Sequence, residues 1–418
     1  DRRRDDEGAV HELVAERPAI VRVPGHGVRE HRQESGPGDA HVLRFELVRV
    51  PLFRDVNLLP VIERERIAEL VVQRAELVLA AGGTYCEEED GQREEAEWGS
   101  QAAGVFKPPD PDGFRRHVRE HKDRRLVSKL MPEHEAIERF VDDGDYVSYD
   151  CNLWNRGPAS LMREIIRQRK RNLWIAAKFT AHDATLLVAA GCVSRIDVGW
   201  MEVGRVIQEA QAEGRVQLFE WSNGALAYRH LAGALGVPFL PLRYLGGTDV
   251  FHSSGAKLIE DPYTGQAVCL VPALNPDVAL IHVNQCDEFG NARVFGSGIA
   301  PVETAMASRK VILSAEEIVD GDEIRRHPQQ TRIPYYVVDA VVHAPFGGYP
   351  GSVPGLYRAD VQHLMEFAAA QVQGKMEEYL EKWVLSVPSH EAMLEQHVGK
   401  EKLEQLHADE TIREGYYE

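Results

Sequence analysis

The chain of 418 residues carries 66 acidic and 48 basic side chains, a formal charge of −18, and is 44% hydrophobic and 27% charged. Those proportions are ordinary for a globular protein, and the negative balance speaks against a nucleic-acid partner, which would call for a basic face. The longest nearly continuous apolar run, residues 184–193, is far short of the ~20 residues a membrane helix needs, so no membrane partner is expected.

Residues 1–110 differ from the rest: they hold 14 arginines but one lysine, Lys107, and all seven methionines lie at or beyond Met131. Within them, 62–81 is a candidate amphipathic helix with Ile67, Leu70, Val71, Leu77 and Leu79 apolar; turn signals and periodicity are otherwise poor. Residues 1–112 therefore read as a poorly structured extension, either variable or translated from a misplaced upstream start, the second being favoured. The proline-rich linker 107–113 marks the boundary of a domain spanning 113–418, and 114–130 reads as a basic helical lead-in.

From Met131 the pattern is regular. A helix over 133–141 turns Ala136, Ile137 and Val141 inward, and a strand follows over 146–151. Pro158 suits a helix start, with Leu161, Ile165 and Ile166 on the apolar face. A strand over 173–178, an apolar segment over 184–190, a strand over 195–200 and a helix over 203–213 come next. Strands and helices alternate with short connections, which implies an α/β fold: an open, largely parallel sheet with helices on both faces.

The stretch 215–251 organises the chain. Val216, Leu218 and Phe219 suit a buried strand. A polar corner, Ser222-Asn223-Gly224, opens a helix with Leu226, His230, Leu231 and Leu235 on one face. An apolar loop punctuated by Pro238 and Pro241 then leads to the turn Gly246-Gly247-Thr248-Asp249. A corner of this kind sits at the carboxyl edge of a sheet, where open α/β folds bind ligands; Ser222 or Asn223 as a plain helix cap is the competing reading.

The second half adds strands over 268–273, 278–284, 292–295, 310–314 and 335–342, with a charged segment over 316–327. The Gly/Pro-rich loop 343–355 is long enough to be functional. Residues 361–387 are helical, and 392–406 supply a last polar helix or tail. Five scattered cysteines (Cys86, Cys151, Cys192, Cys269, Cys286) lack metal-ligand spacing, and no secretory signal opens the chain, so a reduced, cytoplasmic setting and no metal are expected.

Residues 116–406 carry GALGVPFLPL at 233–242, LVPALNPDVALIH at 270–282, AEEIVDGDEIRR at 315–326, DAVVHAPFGGYPGSVPGLY at 339–357, and a turn at 285–291. In number, order and spacing these stretches resemble the A (alpha) subunit of family I CoA-transferases, glutaconate CoA-transferase in particular. The resemblance implies transfer of CoA from an acyl-CoA to a small carboxylic or dicarboxylic acid, with the CoA thioester as substrate and no permanently bound cofactor. It implies that the partner is a homologous B subunit, which carries the nucleophilic glutamate in a Ser-Glu-Asn-Gly motif. Here the corresponding corner has no glutamate between Ser222 and Asn223, and Glu220 lies upstream on the strand, so no catalytic residue is expected in this chain. Where relatives carry Gly-Gly-Phe after the first strand, this chain has Asp150-Cys151-Asn152. Two alternatives remain: a CoA-thioester hydrolase or ring-opening enzyme of the steroid-degradation type, or a non-catalytic ligand-sensing domain of the same fold group.

The resemblance makes Ser222, Asn223, Gly224, Gly246, Gly247 and Thr248 the candidate substrate-binding residues. Paired glycines let backbone approach a ligand closely, and Thr248 can hydrogen-bond a carboxylate. Asp287, Gly290 and Asn291 read as turn chemistry. Arg156 could meet an anionic substrate, but a lone loop arginine reads more often as a surface charge; Cys151 reads as packing and His282 as a satisfied core histidine.

Overall fold

The computed structural model describes residues 105–296 and 298–410. The helix expected over 62–81, like the rest of the extension up to residue 104, lies outside the described residues.

Seven strands form one parallel sheet: β1 (Tyr146–Leu153), β2 (Leu173–Thr180), β3 (Val193–Met201), β4 (Gln217–Glu220), β8 (Val278–Cys286), β10 (Lys310–Ile318) and β11 (Ala340–His343). Their order is β11-β10-β8-β1-β2-β3-β4, with the short β9 (Ala292–Arg293) antiparallel on β8. The register sets Val147 between Ile175 and Val278, and Leu280 beside Ile312. The chain runs outward from β1 to β4 on one side and from β8 to β11 on the other. The reversal falls between β1 and β8, where carboxyl ends of strands part to leave a crevice.

Both faces are covered. Val147, Tyr149, Ile175, Ala177, Ile196, Leu280 and Ile312 pack with Ala136, Ile137, Leu161, Ile165 and Leu186 of the helices Glu133–Phe140, Ala159–Arg167 and His182–Ala189. On the other face, Ala279, Ile281, Val311 and Leu313 pack with Ala305 of the Pro301–Ala307 helix. The Asn223–Leu235 helix lies against β2 and β3. Burying each of these large aliphatic side chains contributes about 1.5–3 kcal/mol. That strands here read as near-continuous apolar runs follows from burial on both faces.

Four local expectations change. The lead-in is helical only over Pro111–His121, because the chain then turns to bury the Lys122 ammonium against Val337 O and the Asp339 carboxylate. The loop at 236–242 contains a strand, β5 (Phe239–Leu242), which joins β6 (Lys257–Glu260) and β7 (Ala267–Pro272) in a separate antiparallel sheet of order β5-β7-β6. Pro241 is tolerated because β5 is an edge strand, and the strand expected at 268–273 belongs to this sheet rather than the parallel one. The strand expected over 335–342 shrinks to β11, because Pro334 opens a 3₁₀ turn over Tyr335–Val337. The helical region from Val361 breaks at Gly374, in left-handed backbone with φ 69°, before Met376–Leu380 resumes it. Among the described residues no helix is long and apolar enough to cross a membrane.

Candidate active site

Strand alternation gives β1 to β3 one apolar face and one that buries polar groups. Tyr146 and Trp174 donate to the Asp197 carboxylate at 2.5 and 2.8 Å, and Arg229 closes that set at 2.6 Å while stacking 3.9 Å from the Trp221 ring centre. Next along the strands, Ser148 Oγ meets His230 Nε2 at 2.8 Å, and His230 Nδ1 donates to Leu226 O. The last rung, nearest the carboxyl ends, is ionic. The Lys178 ammonium donates to Tyr149 O and Thr304 Oγ1 at 3.1 and 2.9 Å and stands 3.9 Å from Asp150. Asp150 in turn is 3.7 Å from Arg156, which donates to Phe295 O at 2.8 Å. Burial pushes the Asp150 carboxyl up and the Lys178 ammonium down from their ordinary ranges, each opposed by the other's charge.

Arg156, expected as a surface charge, is 1% exposed. The loop after β1 turns it inward: Arg156 N donates to Ser352 O and Ser352 N to Trp154 O, so residues 343–355 clamp this loop. Gly298 allows the closure, since a Cβ there would lie 2.3 Å from Arg156 Nη2 and 3.0 Å from Asp150 Oδ2.

Above this cluster, at the β1/β8 crevice, lies a cavity of about 430 Å³. Arg156 lines it, with Ala227, Tyr228 and Leu231 of the Asn223–Leu235 helix on one wall. Val294, Gly296, Val302, Glu303 and Arg332 also contribute to the lining. The volume lies within the range for small-molecule sites, and the lining mixes apolar side chains with three charged ones, Arg156, Glu303 and Arg332.

None of the residues singled out from sequence as substrate-binding lines this cavity. Ser222 caps the Asn223–Leu235 helix, its Oγ accepting from Ala225 N at 2.9 Å. Asn223 Oδ1 packs where Gly199 leaves room, and Gly224 lies under the Tyr244 hydroxyl, where a Cβ would be 2.2 Å from that oxygen. Thr248 caps the Asp249–Ser253 helix and donates to Leu245 O at 2.6 Å. Gly246 and Gly247 are exposed, Gly247 with φ 80° and open space where its side chain would be. Trp221, Leu226, Leu245 and Phe251 belong to one apolar cluster, which ties the corner and the turn together.

Asp287 accepts from the amides of Phe289, Gly290 and Asn291 and from Asn291 Nδ2, so this trio builds a turn. Cys151 is buried and donates to Phe179 O. His282 is fully buried and satisfied, by Ser314 Oγ at 2.9 Å and Glu316 Oε1 at 2.6 Å. Glu316 also accepts from the Tyr357 hydroxyl and Phe346 N at 2.5 and 2.7 Å, and it lines a second cavity of about 220 Å³. Among the described residues no three His, Cys, Asp or Glu side chains are grouped to hold a metal ion. Sequence reading passed over Asp150, Lys178, Glu303 and Arg332; charged residues at the ends of otherwise apolar strands were the available signal for the first two.

Residues 131–344 match the family described as coenzyme A transferase. The chain is 40% identical over 314 residues to an uncharacterised protein of Archaeoglobus fulgidus, covering 73% of this chain and 70% of that one. It is 32% identical over 243 residues to the A subunit of the 3-oxoadipate CoA-transferase of Pseudomonas knackmussii, covering 56% of this chain and 85% of that one. The crystal structure of glutaconate coenzyme A-transferase from Acidaminococcus fermentans superposes with a TM-score of 0.64 at 28% identity, covering 67% of this chain and 95% of that chain.

Proposed function

Since this chain belongs to the coenzyme A transferase family and is like its A subunits, we propose that it is the A subunit of a heteromeric CoA-transferase. It moves CoA between an acyl-CoA and a small carboxylic or dicarboxylic acid, and the nucleophilic glutamate is on a homologous B subunit. One observation carries the reading: the switch-point cavity is sized and lined for a small acid, while the corner beside it has Ser222 and Asn223 with no carboxylate between them. Ser222, Asn223, Gly224, Gly246, Gly247 and Thr248 form the face that completes the partner's site.

The chemistry divides one hard exchange into easier steps. The partner's carboxylate attacks the thioester carbonyl and expels the CoA thiolate, leaving an acyl-glutamyl anhydride. The thiolate attacks the glutamyl carbonyl, releases the first acid as its carboxylate and leaves glutamyl-CoA. The second acid repeats the two steps in reverse order and departs as its CoA ester. Backbone donors stabilise the oxyanion at each attack, and binding of the nucleotide end of CoA helps to position the reacting bond.

The test is to treat the reconstituted complex with acyl-CoA, trap glutamyl-CoA with hydroxylamine or borohydride, and map the modified chain. Label on the partner's glutamate supports the assignment. Label on Glu303, the carboxylate that lines the cavity of this chain, would overturn it.

A further inference from the structure

We propose that β6 is a docking edge for a second copy of this chain: two β6 strands pair antiparallel about a two-fold axis at Ile259 and join their small sheets into one. The inference goes beyond the transfer reading and does not depend on it.

The β5-β7-β6 sheet has two edges, and only one is blunted. Pro241 removes an amide from the β5 edge, a usual protection against strand addition. β6 carries neither proline nor bulge, and among the described residues it pairs with β7 alone. All four of its residues are exposed, Leu258 at 50% and Ile259 at 42%. Among the described residues the Lys257 and Glu260 side chains have no ion-pair or hydrogen-bond partner. An open edge that also presents apolar side chains is a template for another strand, whose main-chain hydrogen bonds supply affinity.

The strand is complementary to itself in one register. Asp261 N donates to Gln266 O at 2.8 Å where β6 turns into β7, and this bond sets the alternation of the ladder. Residues 257, 259 and 261 face β7, whereas Leu258 and Glu260 turn their N–H and C=O groups outward. Antiparallel pairing sets outward residues opposite outward residues, so the two-fold axis must pass through a single residue position. An axis at Lys257 or at Glu260 opposes like charges, which is destabilising. An axis at Leu258 sets Lys257 against Ile259 and leaves every charge unpaired. An axis at Ile259 sets Lys257 opposite Asp261 of the second copy on both sides of an Ile259–Ile259 contact, while Leu258 and Glu260 exchange main-chain hydrogen bonds. Copies of a chain with formal charge −18 repel one another, so their contact needs local opposition of charge, and this register supplies it.

The experiment uses the full chain, alone and in the reconstituted complex, in a Cys86→Ser background; the four described cysteines are buried. Light scattering is expected to find at least two copies of the chain per particle. Lys257→Glu, which sets acid against Asp261 of the second copy, should halve that mass with the circular dichroism unchanged. A non-hydrogen-bonded antiparallel pair brings Cα atoms to about 4.5 Å, within disulfide range. Ile259→Cys should therefore form a covalent dimer under mild oxidation. Tyr263→Cys, at a position 94% exposed but away from the axis, should not. One copy per particle in the parent, an unchanged mass in Lys257→Glu, or equal cross-linking at the two positions overturns the proposal. None of these readouts involves CoA transfer, which fails on its own if trapping labels no partner glutamate.

Discussion

The Asp150 carboxylate stands between two buried cations, 3.7 Å from Arg156 and 3.9 Å from Lys178, with all three side chains at most 1% exposed. Removing one partner of a buried ionic set leaves the others uncompensated, at a cost of about 3–5 kcal/mol. Asp150→Asn is therefore expected to lower the unfolding free energy by that much, read as a lower urea midpoint at unchanged slope. Adding Lys178→Met removes one of the stranded cations, so the double variant should lose less than the sum of the two single losses. Additive losses would mean that Asp150 does not act as their counter-charge.

The fold was legible because most of its elements are long and buried on one face or two. The helix at Glu133–Phe140 and the strands at β1, β2, β3 and β8 announce themselves through Ala136, Ile137, Val147, Ile175 and Leu280 at their proper periods. The antiparallel sheet was hidden because Pro238 and Pro241 read as loop, and only its edge position makes Pro241 acceptable. The site was less legible than the fold. Ser222 was legible as a polar corner and as a helix cap, whereas the apolar cluster of Trp221, Leu245 and Phe251 that ties this corner to the turn at Thr248 arises from tertiary contacts. Arg156 looked like a lone loop charge because its partners, Asp150 and Phe295, are respectively six residues before it and far along the chain. Arg332 has no local signal; only the docking of its backbone on Ala292 carries it to the cavity.

Glu316 gathers three donors, His282 Nε2, the Tyr357 hydroxyl and Phe346 N, and so holds the 343–355 loop whose Ser352 clamps Arg156. Phe346 sits at φ 55°, a left-handed backbone that a non-glycine residue keeps only when its surroundings impose it. Glu316→Ala strands three donors, each costing about 1–3 kcal/mol when buried and unpaired. Amide exchange is expected to speed up at Phe346 and across residues 344–352 before it does in β1 and β2. Uniform acceleration over the sheet would mean that the loss is global and that Glu316 does not hold the loop in particular.

Capping and substrate contact can be separated at Ser222. Its Oγ satisfies Ala225 N, so Ser222→Ala should cost about 1 kcal/mol of stability, while Ser222→Gly should cost only a few tenths. If the hydroxyl also serves the partner's active site, both variants lose it equally. The expected result is a stability difference between Ala and Gly but the same fall, tenfold or more, in kcat/KM of the complex. Full activity in Ser222→Gly would leave Ser222 as a cap alone.

Three buried histidines set a pH dependence of known sign. Burial lowers the pKa of His230, His363 and His390, that of His363 to about 2. Their hydrogen bonds suit the neutral ring: His363 Nδ1 donates to Tyr349 OH at 2.8 Å, Tyr349 donates to Asp360, and His363 Nε2 accepts from Tyr379 OH at 2.6 Å. In the unfolded chain each histidine takes up a proton near pH 6.5, while in the folded chain it stays neutral. The unfolded state therefore binds more protons below that pH, and stability falls as pH falls. Each histidine contributes a slope approaching about 1.4 kcal/mol per pH unit. The loss begins near pH 6.5 and continues for His363 down to about pH 2. The raised Asp150 and Glu133 carboxyls act in the opposite sense, so the histidine contribution is read between pH 7 and 5 as the difference between the parent and His363→Gln. Urea unfolding across that window should show stability dropping steadily, with His363→Gln flattening the slope by one proton's worth. A flat profile from pH 7 to 5 would show that these rings are protonated in the folded state or exposed to water.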